Sequence, residues 1–378
     1  MNIREQFLLD PAVTYLNHGS FGACPRPVFQ AYQEWQLQLE RQPVDFLDRR
    51  APGLIAESRA ALAEYVGCDV DDLVYFPNPT TAINMVARSL KLEPGDEILT
   101  TDHEYGAVDR TWRFICNRRG AHYVNRAVPL PILEDEAFCE YFWSGVNENT
   151  RVIFISHITS PTALRFPVEE ICTRAREAGI LTIVDGAHAP GQIPLNLTEL
   201  DVDIYAGACH KWLCAPKGAS FLYARPQVKD SLEPLVVSWG WEAEEPGISR
   251  FIDYHEWQGT RDIAAFLAVP AAIDFQRQFQ WEDVRRRCID LAATTGDRLR
   301  EIFQTSPLSE ARGWPLQMAA AELPEPSDTL QQRLLEEHNI EVLVQQWQNR
   351  SFLRVSFQGY NDLADADKLV DTIRTMYP

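Results

Sequence analysis

The chain has 378 residues, of which 46% are hydrophobic and 24% charged, a composition typical of globular proteins and not of disordered or fibrous ones. At about 150 residues per domain, this length predicts two to three domains. Thirty-five basic against 54 acidic residues give a formal net charge of −19, which repels nucleic acid backbones and anionic membranes. We therefore expect neither as a partner, whereas a small ligand with a single phosphate group remains compatible with this charge.

Cysteine usage and the N-terminus predict a cytoplasmic location. No apolar run approaches the roughly 20 residues that span a bilayer, and the first residues lack the apolar core of a signal peptide. The cysteines form no C-x-x-C pair and no zinc-finger spacing, so most are expected to be buried, reduced thiols. They are Cys24, Cys68, Cys116, Cys139, Cys172, Cys209, Cys214 and Cys288.

Apolar runs alternate with longer amphipathic segments from about residue 50 to 225, a pattern typical of a parallel sheet with helical crossovers. Ligands of such sheets bind beyond the carboxyl ends of the strands, so polar residues directly after the strands are candidate site residues. The predicted strands are 73–76, 96–101, 121–126, 151–156, 180–185, 202–207 and 219–224.

After residue 225 the pattern changes to that of a smaller α+β unit. Two helices are predicted at 264–279 and 281–303, followed by further strands and helices. The predicted division is a large domain of residues 15–262 and a small domain formed by residues 1–14 with 263–378. In the small domain, strands are predicted at 315–323, 340–347 and 351–357, and helices at 327–338 and 362–376.

Lys211 is the first residue that suggests chemistry. It follows a predicted buried strand in IYAGACHKWLCAPKG. Most lysines are solvated surface residues, but Cys209, Trp212 and Leu213 make these surroundings apolar. Desolvation lowers the pKa of an ammonium group and favours a nucleophilic amine that can form a Schiff base.

Three further segments place reactive side chains near predicted element ends. Asp185 ends a strand in ILTIVDGAHAPG, where it could cap a helix or pair with a cation such as a pyridinium nitrogen. Thr80 and Thr81 fall in the first turn of a helix in NPTTAINMVA, either as ordinary caps or as an anion site. Arg354, in FLRVSFQGYN, could be a sheet-edge charge or a two-pronged carboxylate clamp.

Together with these segments, TTDHEYGA, QGTRD and the opening YLNHGSFG complete a set in which the chain resembles the class V aminotransferase group of pyridoxal 5'-phosphate (PLP) enzymes. Within that group it is most similar to isopenicillin N epimerase-like proteins, and cysteine desulfurases and cystine carbon–sulfur lyases are relatives. The resemblance implies PLP, fold type I with an α/β large domain that binds the cofactor, an amino acid substrate and a homodimer with shared active sites. It implies no metal.

The resemblance also assigns roles. Lys211 would bind PLP covalently and then move the substrate Cα proton. Asp185 would pair with the pyridine nitrogen, and His188 would hydrogen-bond the ring hydroxyl. Tyr105 would stack on the ring, with His103 as the alternative. Thr80, Thr81 and His210 would bind the phosphate, which Thr260 would reach from the neighbouring subunit, and the assigned substrate-binding residues are Arg354, Asn17 and His18.

Three positions depart from the family pattern. His157 stands where relatives often have Asn and could still touch the ring hydroxyl. Ala208 stands where a polar residue often supports the phosphate. The stretch VLVQQWQNRSFLR contains no cysteine, and persulfide transfer needs a reactive thiolate. Desulfurase chemistry is therefore disfavoured, and epimerisation, transamination and β-elimination of a sulfur substituent remain.

Three other interpretations fit the sequence less well. Strand-end Asp and His residues suit a metal-dependent hydrolase, but no H-x-H or H-E-x-x-H pair occurs, and Lys211 would have no role. An inactive scaffold of the same fold would conflict with the retained Lys211 and Asp185. A nicotinamide-binding fold would need a G-x-G-x-x-G motif after the first strand. The metal hypothesis would use Asp102, His103, His157, Asp185, His188 and His210.

Overall fold

The computed structural model describes residues 3–247, 249–310 and 315–378. All seven strands predicted before residue 225 are present, with bounds that shift by at most two residues. The strands are β1 (Thr14–Tyr15), β2 (Leu73–Phe76), β3 (Glu97–Thr101), β4 (His122–Arg126), β5 (Thr150–Ser156), β6 (Leu181–Gly186), β7 (Ile204–Ala208), β8 (Ser220–Ala224), β9 (Met318–Glu322), β10 (Ile340–Glu341), β11 (Leu343–Trp347) and β12 (Arg350–Ser356).

Helices fill most connections between these strands. Short 3-10 helices cover Arg4–Gln6 and Val70–Asp72, and a π-helix covers Asp45–Arg50. The α-helices are α1 (His18–Phe21), α2 (Arg26–Arg41), α3 (Ala51–Val66), α4 (Pro79–Ser89), α5 (Gly106–Arg119), α6 (Asp135–Trp143), α7 (Val168–Glu177), α8 (Leu197–Leu200), α9 (Pro226–Lys229), α10 (Arg250–His255), α11 (Ala264–Leu267), α12 (Val269–Gln278), α13 (Trp281–Phe303), α14 (Leu330–His338) and α15 (Leu363–Met376).

Seven strands form the central sheet in the order β2-β8-β7-β6-β5-β3-β4. All adjacent pairs are parallel except those of β8, which runs antiparallel to both β2 and β7. Apolar side chains alternate between the two covered faces, so Val152 and Phe154 belong to one core cluster and Ile153 and Ile155 to the other. The predicted α/β class with a mostly parallel sheet is confirmed.

The C-terminal unit contains a three-stranded antiparallel sheet in the order β11-β12-β9. The N-terminal segment reaches this unit, because β1 pairs in parallel with β10. Helices α11 and α12 instead pack against α2 and α3. The division at residue 262 stays a prediction. Among the described residues, no helix combines the length and apolar content needed to cross a membrane.

Three predicted elements of the C-terminal half are wrong in detail. The helix predicted at 264–279 is divided into α11 and α12, because Pro270 in the first turn of α12 has no N–H for a continuous helix. The strand predicted at 340–347 is split at Val342, since β10 pairs with β1 and β11 with β12. The helix predicted from residue 327 begins at Leu330, whose N–H donates to Ser327 Oγ at 3.2 Å.

Candidate functional site

A cavity of about 770 Å³ opens at the carboxyl ends of the parallel strands, where ligands of such sheets bind. Its walls come from the loops after β2, β3, β5, β6 and β7, from α1, and from β11 and β12 of the C-terminal sheet. Eight of the predicted site residues line it: Thr80, Thr81, Tyr105, Asp185, His188, His210, Lys211 and Arg354.

Lys211 lines this cavity, three residues after β7 ends, and its side chain is partly buried. Its Nζ is 3.1 Å from His188 Nε2. The pKa of Lys211 is lowered from 10.5 to about 8, mainly by burial and also by the Arg354 charge, while Asp185 opposes the shift. About a tenth of the amine is therefore unprotonated at pH 7, far more than in an ordinary lysine, and a nucleophile or a proton acceptor must be unprotonated.

Asp185 is buried at the end of β6 beside the cavity. Its Oδ1 accepts the Ala187 N–H at 2.9 Å. Burial raises the pKa of Asp185, while the Ala187 N–H and the Lys211 charge oppose the rise. A protonated ring nitrogen would offset the cost of burying this carboxylate.

The part of the cavity at the start of α4 suits an anion. Helix α4 begins there with Asn78 as its cap: Asn78 Oδ1 accepts the Thr81 N–H at 2.8 Å and the Thr81 hydroxyl at 3.0 Å. His210 Nδ1 contacts the Ala219 carbonyl at 3.1 Å, so Nδ1 is the donor. Burial lowers the pKa of His210 to about 4, so Nε2 carries a lone pair in the neutral ring and donates to a phosphate only once the ring is protonated. Lys217 also lines the cavity, and its positive charge favours a phosphate.

Arg354 forms the C-terminal side of the site and is fully buried. One terminal nitrogen donates to the Ser160 carbonyl at 2.6 Å and to the Ser160 hydroxyl at 3.2 Å, and the other donates to Ser20 Oγ at 3.2 Å. Its Nε has no hydrogen-bond partner, and no carboxylate of the described residues forms an ion pair with it. Burial lowers its pKa to about 10, so it remains charged and suited to a ligand carboxylate.

Tyr105, not His103, reaches the cavity. The Tyr105 side chain lies at the start of α5 and is 47% exposed. His103 is fully buried, its Nδ1 lies 2.9 Å from Thr162 Oγ1, and its ring stacks on Trp347 with centroids 4.2 Å apart. The geometry supports Tyr105 as the stacking residue.

His157 does not line the cavity, contrary to expectation. Side chains alternate along β5, so Ser156 faces the cavity and His157 faces the other side of the sheet. There, His157 Nδ1 lies 3.0 Å from the Tyr205 hydroxyl. A contact between His157 and the ring hydroxyl does not fit this placement, and Ser160 in the same loop faces the site instead.

Asn17 and His18 lie behind the cavity wall, which does not fit direct substrate contact. Asn17 Nδ2 donates to Glu341 Oε1 at 3.0 Å. The buried His18 ring lies 3.0 Å from the Tyr360 hydroxyl and 3.0 Å from the Lys211 carbonyl oxygen. The Asn17 amide and the His18 ring are thus hydrogen-bonded within the protein. These contacts fix the position of α1 and of the Lys211 backbone.

Thr260 lies outside this cavity, in a separate surface pocket of about 570 Å³ that Trp239 and Trp257 also line. A role at its own subunit's phosphate site does not fit this placement, whereas a role in a neighbouring subunit does. Ala208 is buried in β7 and does not line the cavity.

Sequence reasoning missed the buried acid Glu104. Its Oε1 accepts the Thr101 hydroxyl at 2.7 Å and its Oε2 accepts the Ser156 hydroxyl at 2.6 Å. Burial raises its pKa to about 7, with Asp185 adding to the rise and the two hydroxyl groups opposing it. The sequence feature that could have identified Glu104 is its position shortly after a strand and directly before Tyr105. Also missed were Ser20, Phe21, Ser160, Leu343 and Gln345 of the cavity lining.

Within the described residues, no group of three His, Cys, Asp or Glu side chains is arranged to hold a metal ion. The six residues of the metal hypothesis are separated: His103 packs on Trp347, His157 faces Tyr205, and only Asp185, His188 and His210 line the cavity.

The chain matches known proteins over nearly its whole length. The Aminotransferase class-V family model matches residues 15–369. Isopenicillin N epimerase from Amycolatopsis lactamdurans is 37% identical over 390 residues, which cover 99% of this chain and 98% of that protein. A probable chloroplastic L-cysteine desulfhydrase from Arabidopsis thaliana is 27% identical, with coverage of 96% and 83%.

A solved structure shows the same fold. A C-DES variant with glycine covalently linked to its PLP cofactor superposes with a TM-score of 0.87 at 24% identity, covering 98% of both chains. The predicted fold type, cofactor and resemblance are thereby confirmed. The chain belongs to the class V aminotransferase family of PLP-dependent enzymes.

Proposed function

We propose that this chain is an amino acid epimerase: with PLP bound, Lys211 would remove the Cα proton of an amino acid from one face, and a proton from solvent would add to the opposite face of that carbon and invert its configuration. One observation supports this assignment most directly. The buried amine of Lys211 shares a single cavity with the Asp185 carboxylate and the Arg354 guanidinium. Lys211 can serve as the base that removes the Cα proton, Asp185 as the partner of a protonated pyridine nitrogen, and Arg354 as the group that binds the substrate carboxylate.

The residues at the floor fit PLP. Asp185 is a buried carboxylate that a pyridinium nitrogen would satisfy, and Lys211 is a buried amine for covalent attachment. The start of α4 with Thr80, together with Lys217, suits the phosphate, and His210 would donate to it through Nε2 when its ring is protonated. When bound, PLP supplies an electron sink that stabilises negative charge at Cα.

Lys211 and Arg354 divide the work on the substrate. Arg354 would bind the α-carboxylate through a guanidinium that meets only neutral serine groups in the protein. This contact orients the substrate so that its Cα–H bond faces Lys211 Nζ, which accepts the proton. Leu343 and Gln345 of β11 also line the cavity and would contact the substrate side chain.

Among the reactions that begin with Cα deprotonation, epimerisation is favoured by the similarity, at 37% identity, to an isopenicillin N epimerase. A second candidate is β-elimination from cysteine or cystine without a persulfide-forming cysteine in the protein, favoured by the L-cysteine desulfhydrase relatives. In keeping with this, the eight cysteines of the chain lie outside the cavity lining. Transamination is the third outcome that the same deprotonation allows.

The test is to incubate the holoenzyme in deuterated water with L-cysteine, L-cystine, L-alanine and other amino acids. An epimerase incorporates deuterium at Cα and yields both enantiomers without keto acid. A lyase accumulates pyruvate, together with sulfide from cysteine or cysteine persulfide from cystine. An aminotransferase bleaches the visible band of its cofactor until a keto acid restores it. The proposal fails if no amino acid exchanges its Cα hydrogen, or if Lys211→Ala exchanges it as fast as the wild type.

A homodimer in which Thr260 contacts the phosphate of the other subunit is part of the proposal. Supporting it, Trp239 is 85% and Val237 68% exposed near the Thr260 pocket, and exposed apolar side chains of this size favour association. Mixing Lys211→Ala with Thr260→Ala subunits should restore activity, because one site of each hybrid dimer carries neither change. No recovery on mixing would contradict shared sites.

A cytoplasmic location is also proposed. All eight cysteines are free thiols in the structure, as is usual in a reducing compartment. Fractionation of cells that express the chain, followed by immunodetection, tests this; recovery in an oxidising compartment would contradict it.

A further inference from the structure

Trp212, the residue after Lys211, is fully buried and closely packed. A Cβ added to Gly19 would lie 3.3 Å from Trp212 Cζ2, and one added to Gly191 would lie 2.4 Å from the Trp212 carbonyl carbon. Gln276 Nε2 donates to that carbonyl oxygen at 3.0 Å. The indole is therefore fixed relative to the Lys211 backbone.

The indole N–H makes one hydrogen bond, to His188 Nδ1 at 3.3 Å. An indole nitrogen can only donate, so His188 Nδ1 must present a lone pair. Burial, followed by the charge of Lys211, lowers the pKa of His188 well below its ordinary value, and the ring is neutral. Its single proton consequently lies on Nε2.

Nε2 faces Lys211 Nζ at 3.1 Å. If Nε2 carries the proton, Nζ must accept it with a lone pair, and only the free amine has one. An ammonium group would place N–H against N–H. The other charges around Lys211 are Asp185, which favours the ammonium form, and Arg354, which favours the amine.

We propose that Trp212 is a positioning residue whose indole N–H holds the His188 proton on Nε2 and thereby favours the free-amine form of Lys211 over the ammonium form. The inference rests on the proposed role of Lys211 as attachment site and base. The inference adds Trp212 as a hydrogen-bond donor to His188. Its indole N–H sets the direction of donation, from Trp212 to His188 and from His188 to Lys211. Once Lys211 is attached to PLP, the same Nε2–H is left to donate to an acceptor on the cofactor.

The first test reads the His188 tautomer in the apoenzyme, without any turnover. Histidine labelled with ¹⁵N is observed by long-range proton–nitrogen correlation, and the His188 signals are identified by their loss in His188→Gln. We expect a protonated Nε2 and an unprotonated Nδ1 in the wild type. A wild-type ring protonated at Nδ1 overturns the proposal, whatever the variants do.

The second test is Trp212→Phe, which removes the N–H and keeps a buried aromatic ring. The His188 signals should move towards a mixture of tautomers. The pH at which PLP attachment to the apoenzyme is half-maximal should rise by about one unit, a roughly tenfold loss of free amine at neutral pH. The matched control is Trp281→Phe, whose lost N–H donates to the Gly191 carbonyl at 3.2 Å and should change neither reading.

A double variant separates this role from mere packing. In a His188→Leu background, Trp212→Phe should no longer shift the pH profile of attachment, because the relay through the ring is gone. An undiminished shift there would assign the effect to packing and overturn the proposal. If the wild type shows the expected tautomer but no amino acid exchanges its Cα hydrogen, the proposed function fails and this inference stands.

Discussion

The two ends of the cavity are assembled in different ways. The cofactor end is built from strand ends of one sheet, with Asp185 after β6 and Lys211 after β7. The carboxylate end joins Arg354 of β12, Ser20 of α1 and Ser160 of the loop after β5, which are far apart in the chain. Local motifs thus describe the first end, whereas the second exists only through tertiary packing.

The two ends also differ in charge. The cofactor end holds a buried carboxylate and a buried amine whose charges partly compensate each other. The carboxylate end holds a buried guanidinium with neutral hydroxyl and carbonyl partners. A buried charge without a counter-charge is costly, so we expect an anionic ligand to bind at this end. Changes at the first end should therefore affect chemistry, and changes at the second should affect substrate binding.

The largest effect is expected from Lys211→Ala. Covalent attachment of PLP should be abolished, and kcat should fall by at least about a thousandfold, because both the nucleophile and the base are lost. Borohydride reduction followed by mass spectrometry measures the adduct. Lys91→Ala, an exposed lysine, should retain it, and a trapped adduct on the Lys211 variant would contradict the assignment.

Asp185→Asn comes next. The variant keeps the size of the side chain and removes its charge, so kcat should fall by about a hundredfold to a thousandfold while PLP stays attached. Steady-state kinetics and the visible spectrum measure both. Asp203→Asn removes another buried carboxylate, which accepts the Thr182 N–H at 2.8 Å away from the site, and should lower stability with little change in kcat. Near-normal turnover of Asp185→Asn would remove its electron-sink role.

The pH dependence of apoenzyme stability should report the buried amine. Between pH 8 and 10.5 the unfolded chain retains a proton on Lys211 that the folded chain has released. The free energy of unfolding should therefore rise with pH across this interval, by about 3 kcal/mol at most; below it, the folded state bears the full cost of the buried charge. Denaturant unfolding should show this rise in the wild type and a smaller one in Lys211→Met. Equal slopes would contradict the buried-charge account.

Arg354→Ala should separate the two ends. KM for amino acid substrates should rise by about a hundredfold, since a charge-assisted, two-pronged contact is lost, while PLP attachment changes little. Titration of the visible spectrum with substrate and with PLP distinguishes the two affinities. Arg298→Ala, which loses a surface pair with Asp367, serves as control. A larger loss of PLP than of substrate affinity would place Arg354 in the cofactor end.

The sequence predicted the cofactor end well for a physical reason. Strand, turn and helix start are encoded by neighbouring residues, so DGAH and HKW locate Asp185, His188 and Lys211 directly. The sequence did not predict on which side of the sheet a residue at the end of a strand places its side chain. His157 lies one position beyond Ser156, and this single step places its ring on the opposite side of the sheet. The partners of Arg354 have no local signature, because they depend on how the C-terminal unit packs on the sheet.

Trp347 connects the two ends and gives the smallest expected effect. Its indole N–H donates to the Asp102 carbonyl at 2.7 Å and its ring stacks on His103, in the loop that leads to Tyr105. The same strand, β11, carries Gln345 into the cavity.

Trp347→Phe loses one hydrogen bond of about 1 kcal/mol, so substrate and PLP affinity should each fall about fivefold. Trp112→Phe, whose buried indole N–H has no partner, should leave both unchanged. If only one affinity falls in Trp347→Phe, the ends act independently. If both fall together, contact between β11 and the Tyr105 loop couples cofactor and substrate binding, and the contrast between local and tertiary assembly does not extend to function.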